Sequence, residues 1–155
     1  MTKTPWNFSK MNYDGSCVDC TWPSPDKLFT IKYSDVKEIV TNYPLTARSV
    51  LMHQNEEILL HIDAGGPPVW SADSKFFALP IWLYNEHGYV QRIGIGCIEE
   101  MNFKISTEYF KVMQLLSIDG DTVKLIESPN LKAKERILKI NELDFYETVH
   151  LKETV

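Results

Sequence analysis

The alternation of apolar and polar residues predicts β-strands along most of the chain. In the segment 28–33, apolar residues alternate with Thr or Lys, which is typical of a strand with one buried face. Two apolar runs, 49–53 and 58–62, are separated by the polar residues 54–57. These runs predict a β-hairpin.

A second hairpin is predicted around the turn-forming residues 85–88. The run before it, 76–84, is almost wholly apolar, so we predict a strand that is buried on both faces. Pro80 interrupts this run and has no amide hydrogen, which indicates a bulge or a sheet edge there. In the returning strand, Gly94 and Gly96 indicate close packing, because a dinucleotide-binding loop would need a third glycine and a following helix.

Two segments permit either a helix or a strand. Residues 106–116 have apolar residues at helical spacing after a capping Ser or Thr, but they are also compatible with a strand that leads into Asp119-Gly120. The Asp-Gly turn favours the strand. Residues 131–146 fit either a last strand pair or a charged amphipathic helix over 131–143. We therefore expect a mainly β fold of antiparallel sheets, with one helix near 106–116 or 131–143 as the alternative.

The length of 155 residues predicts a single domain. We assign residues 1–23 to an irregular N-terminal arm, 24–146 to the β core and 147–155 to a frayed polar tail. No apolar run is long enough for a transmembrane helix. The polar N-terminus lacks a secretion signal, so we predict a cytoplasmic protein.

One short turn sequence recurs along the chain. Ser24-Pro25-Asp26, Ser71-Ala72-Asp73 and Ser117-Ile118-Asp119 share the form Ser-x-Asp, at spacings of 47 and 46 residues. A period of about 40 to 50 residues with several short strands per unit is typical of propeller blades. The segments 22–27 and 70–75 resemble the Trp-Ser-Pro-Asp-type repeats of TolB-like and WD40-like β-propellers. The resemblance implies about three blade-like units, in which Ser and Asp hold the turn that starts the innermost strand.

Three such units cannot close a ring, because propellers typically need four or more blades. We therefore predict a non-closed β domain. One alternative is a plain β-sandwich or a curved sheet with a helix. Another is a homodimer in which two chains complete a six-bladed ring.

The charge balance bears on the kind of partner. The net charge is −5 and the pI is about 5.4, whereas a nucleic-acid binder normally carries a basic face. We therefore expect no nucleic-acid partner and no membrane partner. Adjacent carboxylates in loops are usually solvated, but they also suit a contact face for a basic protein. The candidate partner-binding residues are Glu56, Glu57, Glu99, Glu100, Asp119 and Asp121.

The remaining reactive residues form no recognisable catalytic or metal-binding motif. The odd number of cysteines argues against a disulfide framework. Cys17 and Cys20 have metal-ligand spacing, but no second ligand pair accompanies them, and Cys97 is distant in sequence. The four histidines lack a nearby Ser or Cys nucleophile in an elbow. We therefore predict no catalytic residues, no metal and no cofactor.

Taken together, these features predict a non-enzymatic protein-binding protein. The chain resembles the small, acidic, single-domain bacterial immunity proteins that neutralise toxins. This is a resemblance of type rather than of motif, so no residue carries over. It implies an acidic face that occludes the active or entry site of a basic toxin domain. The alternatives are a propeller-like interaction or ligand-binding module that homodimerises, and a small hydrolase that uses carboxylates and a His, either His61 or His87.

Overall fold

The structure is a computed structural model that describes residues 20–37, 46–128 and 132–151. These residues form β-strands and one 3-10 turn, Ile140–Glu142, and they contain no α-helix. The predicted mainly β fold is therefore confirmed. The strands are β1 Thr21–Pro23, β2 Thr30–Lys37, β3 Thr46–His53, β4 Glu56–Ala64, β5 Val69–Trp70, β6 Phe76–Asn85, β7 Gly88–Cys97, β8 Asn102–Phe110, β9 Met113–Asp119, β10 Thr122–Glu127, β11 Lys134–Lys139 and β12 Phe145–His150.

The described strands form two antiparallel sheets. The larger has the order β1-β2-β3-β4-β6-β7-β8-β12, with β5 paired to β6, and the smaller has the order β11-β10-β9. Three successive meanders are evident: β2–β3–β4, β6–β7–β8 and β9–β10–β11. The first two meet through one bridge, Ala64 to Ile81. Among the described strands, β1 and β12 do not pair with each other, so the predicted non-closed arrangement is confirmed.

The central meander carries a hydrophobic core on each face. The first core lies against the first meander and receives Phe77, Leu79 and Ile81 from β6. The second core lies against the third meander and receives Ala78 from β6 and Ile93 from β7. Strand β6 is therefore buried on both faces, as its continuous apolar sequence predicts.

Pro80 lies within β6 without disturbing the β6–β7 ladder. It is opposite Ile93 in an unbroken register, so the predicted bulge is absent from this pairing. The Pro80 carbonyl accepts a hydrogen bond from the Gly65 N–H at 2.8 Å, on the opposite side of β6. The nitrogen and carbonyl of one strand residue point to the same side, so the missing N–H faces the interval between β4 and β5. Pro80 is therefore accommodated inside the sheet, at a gap between β4 and β5, and not at a sheet edge.

Gly94 and Gly96 let β7 lie directly beneath two phenylalanine rings. A Cβ on Gly96 would lie 2.0 Å from Cζ of Phe77, and a Cβ on Gly94 would lie 2.2 Å from Cζ of Phe103. The two rings stack with their centroids 6.0 Å apart and their planes 12° apart. The prediction that these glycines permit close packing is confirmed.

The helix alternatives and the frayed tail need correction. In the segment 106–116, β8 ends at Phe110 and β9 begins at Met113, because the apolar residues alternate between the faces of strands. In the segment 131–143, the described residues form β11 and the 3-10 turn. Strand β12 continues past the predicted boundary at residue 147, and Leu151 is buried in the first core. Residues 1–19 of the predicted arm and 152–155 of the predicted tail lie outside the described residues.

The first two Ser-x-Asp sequences form the same turn. The hydroxyls of Ser24 and Ser71 donate to Oδ1 of Asp26 and Asp73, both at 2.6 Å. Each hydroxyl also accepts the N–H five residues ahead, at 3.2 and 3.0 Å. Each aspartate accepts the N–H two residues ahead, at 3.0 Å. These bonds hold the turns that precede β2 and β6, which confirms their structural role.

The two turns also contact each other. Ser74 in the second turn accepts the Asp26 N–H through its hydroxyl at 2.9 Å. The Trp70 indole N–H donates to the Trp22 carbonyl, also at 2.9 Å. Recurrence in the sequence therefore coincides with direct packing of the two copies in space.

The third Ser-x-Asp sequence is not a third copy of this turn. Ser117 and Asp119 belong to β9, and a two-residue loop, Gly120-Asp121, leads into β10. The loop uses a positive φ of 58° at Gly120, which glycine adopts without strain. This sequence thus lies inside the third meander rather than before it, so its spacing of 46 residues does not mark an equivalent position.

No helix in the described residues is long and apolar enough to cross a membrane.

Candidate functional site

The predicted acidic pairs lie at three different hairpins. Glu56 and Glu57 begin β4, and Glu57 lies 4.0 Å from the Lys32 ammonium on β2. Glu99 and Glu100 form part of the turn between β7 and β8, and Asp119 and Asp121 flank the Gly120 turn between β9 and β10. All six residues are exposed.

The Glu99-Glu100 turn borders the larger of a pair of adjoining hollows that described residues line on the central meander. The Glu99 carboxylate lies 3.3 Å from the Lys75 ammonium, and the Glu100 carboxylate accepts the Asn102 amide at 3.0 Å. The hollow has a volume of about 450 Å³, within the usual range for ligand sites. Its floor is the sheet face that carries the second core, beyond the part that the third meander covers.

The lining of the larger hollow divides by chemistry. Its apolar part consists of Phe76, Ile95, Ile140, Leu143 and Phe145. Its polar part consists of Cys97, Glu99, Glu100, Asn102, Lys104 and Asn141. The Lys104 ammonium lies 5.5 Å from the centre of the Phe145 ring, in a cation–π contact.

Leu143 separates this hollow from a second one of about 380 Å³. The second hollow is lined by Thr107, Glu108, Tyr109, Glu142, Leu143 and Asp144. We call the two hollows together the acidic cleft. The 3-10 turn and the residues after it place Glu142 and Asp144 beside the sheet, because Thr107 N–H donates to the Asp144 carbonyl at 2.8 Å.

The cleft carries an excess of negative charge. Five carboxylates and one ammonium group line it, which gives a formal charge of −4. Two cations from outside compensate in part: Lys75 contacts Glu99, and Arg136 contacts Glu108 at 3.1 Å. Among the described residues, the remaining carboxylates, Glu100, Glu142 and Asp144, have no ion-pair partner.

The structure brings a second predicted acidic pair, Asp119 and Asp121, close to the cleft. The Asp121 carbonyl accepts the Ile140 N–H at 2.6 Å, and the Ile140 side chain lines the larger hollow. The β9–β10 hairpin therefore adjoins the cleft at the start of the 3-10 turn. Glu56 and Glu57 do not line either hollow, so the six predicted residues do not form a single site.

The histidines proposed for a hydrolase lie away from the cleft. His61 Nδ1 accepts the Asp63 N–H at 2.9 Å. Burial lowers the pKa of His61, and the nearby Asp63 and Glu147 carboxylates oppose this effect. His87 lies at the exposed β6–β7 turn, with Nε2 3.5 Å from a Glu86 oxygen. Neither ring lines either hollow.

The cysteines differ in state. Cys20 is disulfide-bonded, so the expectation of no disulfide is wrong for this residue. Cys17 lies outside the described residues. Cys97 is free and lines the larger hollow. Within the described ranges, no group of three or more His, Cys, Asp or Glu residues is placed to hold a metal ion.

Comparisons with known proteins found no match: no family model, no curated protein and no solved structure matches this chain.

The sequence pointed to part of the cleft and missed the rest. The adjacent Glu99-Glu100 pair was found, but Glu108, Glu142 and Asp144 are not adjacent to another acid in the sequence. The spacing of Glu142 and Asp144 around an apolar Leu143 was the available signal. This spacing alone does not indicate a site, because the segment fits a helix or a strand equally well.

Proposed function

We propose that this protein is a non-enzymatic immunity-type protein whose acidic cleft binds a basic segment of a toxin and blocks its active or entry site. The observation that carries the proposal is the combination of an apolar floor and three carboxylates that lack ion-pair partners among the described residues. Apolar contact provides affinity, and complementary charge provides orientation and a fast association rate.

The size of the cleft supports a segment of a protein as the ligand. Its two hollows follow one another along β8 and the start of β12, on either side of Leu143. Such an arrangement suits an extended chain that places an apolar side chain over Phe76 and Phe145 and a basic side chain at each acidic end. Cys97, in the floor, offers a thiol whose alkylation reports occupancy.

The test is co-expression with the toxin candidate encoded by the neighbouring reading frame. A triple variant, Glu100→Lys with Glu142→Lys and Asp144→Lys, should lose protection and weaken binding by about a hundredfold, because it juxtaposes like charges. The matched control is Glu56→Lys with Glu57→Lys and Glu86→Lys, which makes the same charge change at exposed residues outside the cleft.

The control variant should still protect cells and bind the toxin with unchanged affinity by calorimetry. Binding should also slow the alkylation of Cys97, with Cys97→Ser as the blank. Equal loss of protection in both triple variants would attribute the effect to net charge and overturn the assignment of the cleft. Full protection by the cleft variant would do the same.

A cytoplasmic location belongs to the same proposal, and cell fractionation tests it separately. Disulfides are rare in cytoplasmic proteins, so the bonded Cys20 favours an oxidising compartment instead, and recovery of the protein outside the cytoplasmic fraction would overturn this location.

A further inference from the structure

The free edges of the two sheets are not equally protected against pairing with another strand. Strand β1 has only three residues and ends in Pro23. Strand β11 carries Lys134, Arg136 and Lys139. Short edges, prolines and cationic side chains all discourage an added strand. Strand β12 has six residues and, like the edge strand β9, contains no Pro, Lys or Arg, but β9 lies against β5 and β6 of the larger sheet. Its outer side faces no other strand among the described residues.

The register shows which β12 amides are free to bind. The Leu151 N–H donates to the Met101 carbonyl at 2.8 Å, just beyond the end of the β12–β8 ladder. Hydrogen-bonded and non-hydrogen-bonded pairs alternate along an antiparallel ladder, so the Val149 N–H also faces β8. The amides of Thr148 and His150 therefore face away from β8, towards the open edge.

The chemistry around this edge defines the partner. Glu147 lies in β12, and Glu142 and Asp144 of the acidic cleft lie directly before it. Phe145, the first residue of β12, lines the larger hollow. An added strand would thus continue into the acidic cleft at the start of β12, where basic side chains on that strand would complement Glu142 and Asp144.

We propose that the partner binds by strand addition: an extended segment that carries Lys or Arg pairs with the outer edge of β12 and continues into the acidic cleft. This mode of binding rests on the proposed function and adds the backbone recognition to it. Main-chain hydrogen bonds to Thr148 and His150 supply affinity, and the cleft supplies specificity. The acidic residues beside β12 favour a basic segment over a second copy of this chain, whose own net charge is −5.

The test uses the full chain and an eight-residue peptide that alternates Lys and Val. A peptide of the same sequence with N-methylated alternate amides serves as the unpaired control. In the free protein, the Val149 amide should be protected from hydrogen exchange, whereas those of Thr148 and His150 should exchange quickly. Saturating peptide should slow exchange at Thr148 and His150 by about tenfold or more, and the methylated peptide should not.

Thr148→Pro removes an outward-facing amide of β12 and should leave the fold intact. The Thr148 amide takes no part in the β8 ladder, and proline is tolerated at a sheet edge. This variant should weaken peptide binding by about tenfold. The matched control is Ile137→Pro on the edge of β11. The Ile140 N–H bonds to the Asp121 carbonyl, so by alternation the Ile137 amide also faces outward. The Ile137→Pro variant should bind the peptide with unchanged affinity. The Val149 amide should stay protected from hydrogen exchange in both variants.

Three outcomes would overturn strand addition. They are unchanged exchange at Thr148 and His150 with saturating peptide, equal effects of the two proline variants, and a concentration-dependent dimer that Thr148→Pro abolishes. If Thr148→Pro still neutralises the toxin while the triple cleft variant does not, the proposed function stands and only strand addition fails.

Discussion

The two faces of the central meander are built from the same strands but have opposite properties. On one face, the rings of Phe77 and Phe103 close over Gly96 and Gly94, and the first meander covers the surface. On the other face, the third meander covers only part of the sheet. The remainder, which includes Phe76, forms the floor of the acidic cleft.

The difference shows how one strand can contribute to folding through one face and to binding through the other. Phe76 and Phe77 are neighbours in β6, yet their side chains point to opposite faces because strand residues alternate. The first face is closely packed over the two glycines, so a substitution there acts on folding. The second face ends in an open, charged hollow, so a substitution there can change binding with little effect on folding. Three changes of decreasing size test this division.

The largest effect is expected from Gly96→Ala. The new methyl group would lie 2.0 Å from the Phe77 ring, which packs against Phe103 and Trp70 and cannot move freely. We expect the free energy of unfolding to fall by about 3 kcal/mol, at the upper end for overpacking. Urea denaturation measures it. Ile95→Val, on the opposite face of the same strand, should cost only about 1 kcal/mol.

A double variant checks the cause of that loss. Phe77→Leu removes part of the ring that the methyl group meets, so the combination with Gly96→Ala should lose less stability than the two single changes together. Strict additivity, or a loss below about 1 kcal/mol for Gly96→Ala alone, would show that the first face can yield and that the two faces are equivalent.

An intermediate effect is expected from Ser71→Ala, in the turn that sets the start of β6. The Ser71 hydroxyl accepts the Phe76 N–H at the start of β6. Its removal leaves a part-buried N–H without its acceptor, at a cost of about 1 to 2 kcal/mol. Ser24→Ala should cost about as much, since its bonds are the same. Ser117→Ala should change stability by less than about 0.5 kcal/mol. A Ser117→Ala loss as large as the others would contradict the distinction between the turns.

The sequence was sufficient for the features that depend on near neighbours. The double burial of β6, the hairpins at Gln54-Asn55 and Glu86-His87, and the packing role of Gly94 and Gly96 follow from local pattern and turn chemistry. The Ser24 and Ser71 turns were also identified correctly. Each of these features depends on bonds or contacts within a few residues, or on alternation along one strand.

The features that depend on distant pairing were not predictable. Glu147 to His150 look like a polar tail, but Val149 and the following Leu151 pack on the first core, and that packing outweighs the polar composition. The cleft joins Phe76, Ile95 and Phe145 from three separate strands. Only the sheet order brings these residues together, and neither periodicity nor spacing specifies that order.

The smallest effect is expected on the acid dependence of stability, because charged bonds hold the turns before β2 and β6. The Ser71 hydroxyl and the Lys75 N–H bind the Asp73 carboxylate, and these bonds lower the pKa of Asp73 below its ordinary value of 3.8. Ser24 and the Leu28 N–H lower the pKa of Asp26 in the same way. A carboxyl whose pKa is depressed by folding contributes stability above its unfolded pKa and loses it as the pH falls through the folded value.

Carbon-detected NMR titration should therefore give midpoints below 3.8 for both aspartates. The double variant Ser24→Ala with Ser71→Ala should show a shallower loss of stability between about pH 4 and pH 2 than the wild type, because the main cause of both pKa shifts has been removed. Ser117→Ala should retain the wild-type slope, and an unchanged slope in the double variant would mean that the two hydroxyls do not stabilise the carboxylates.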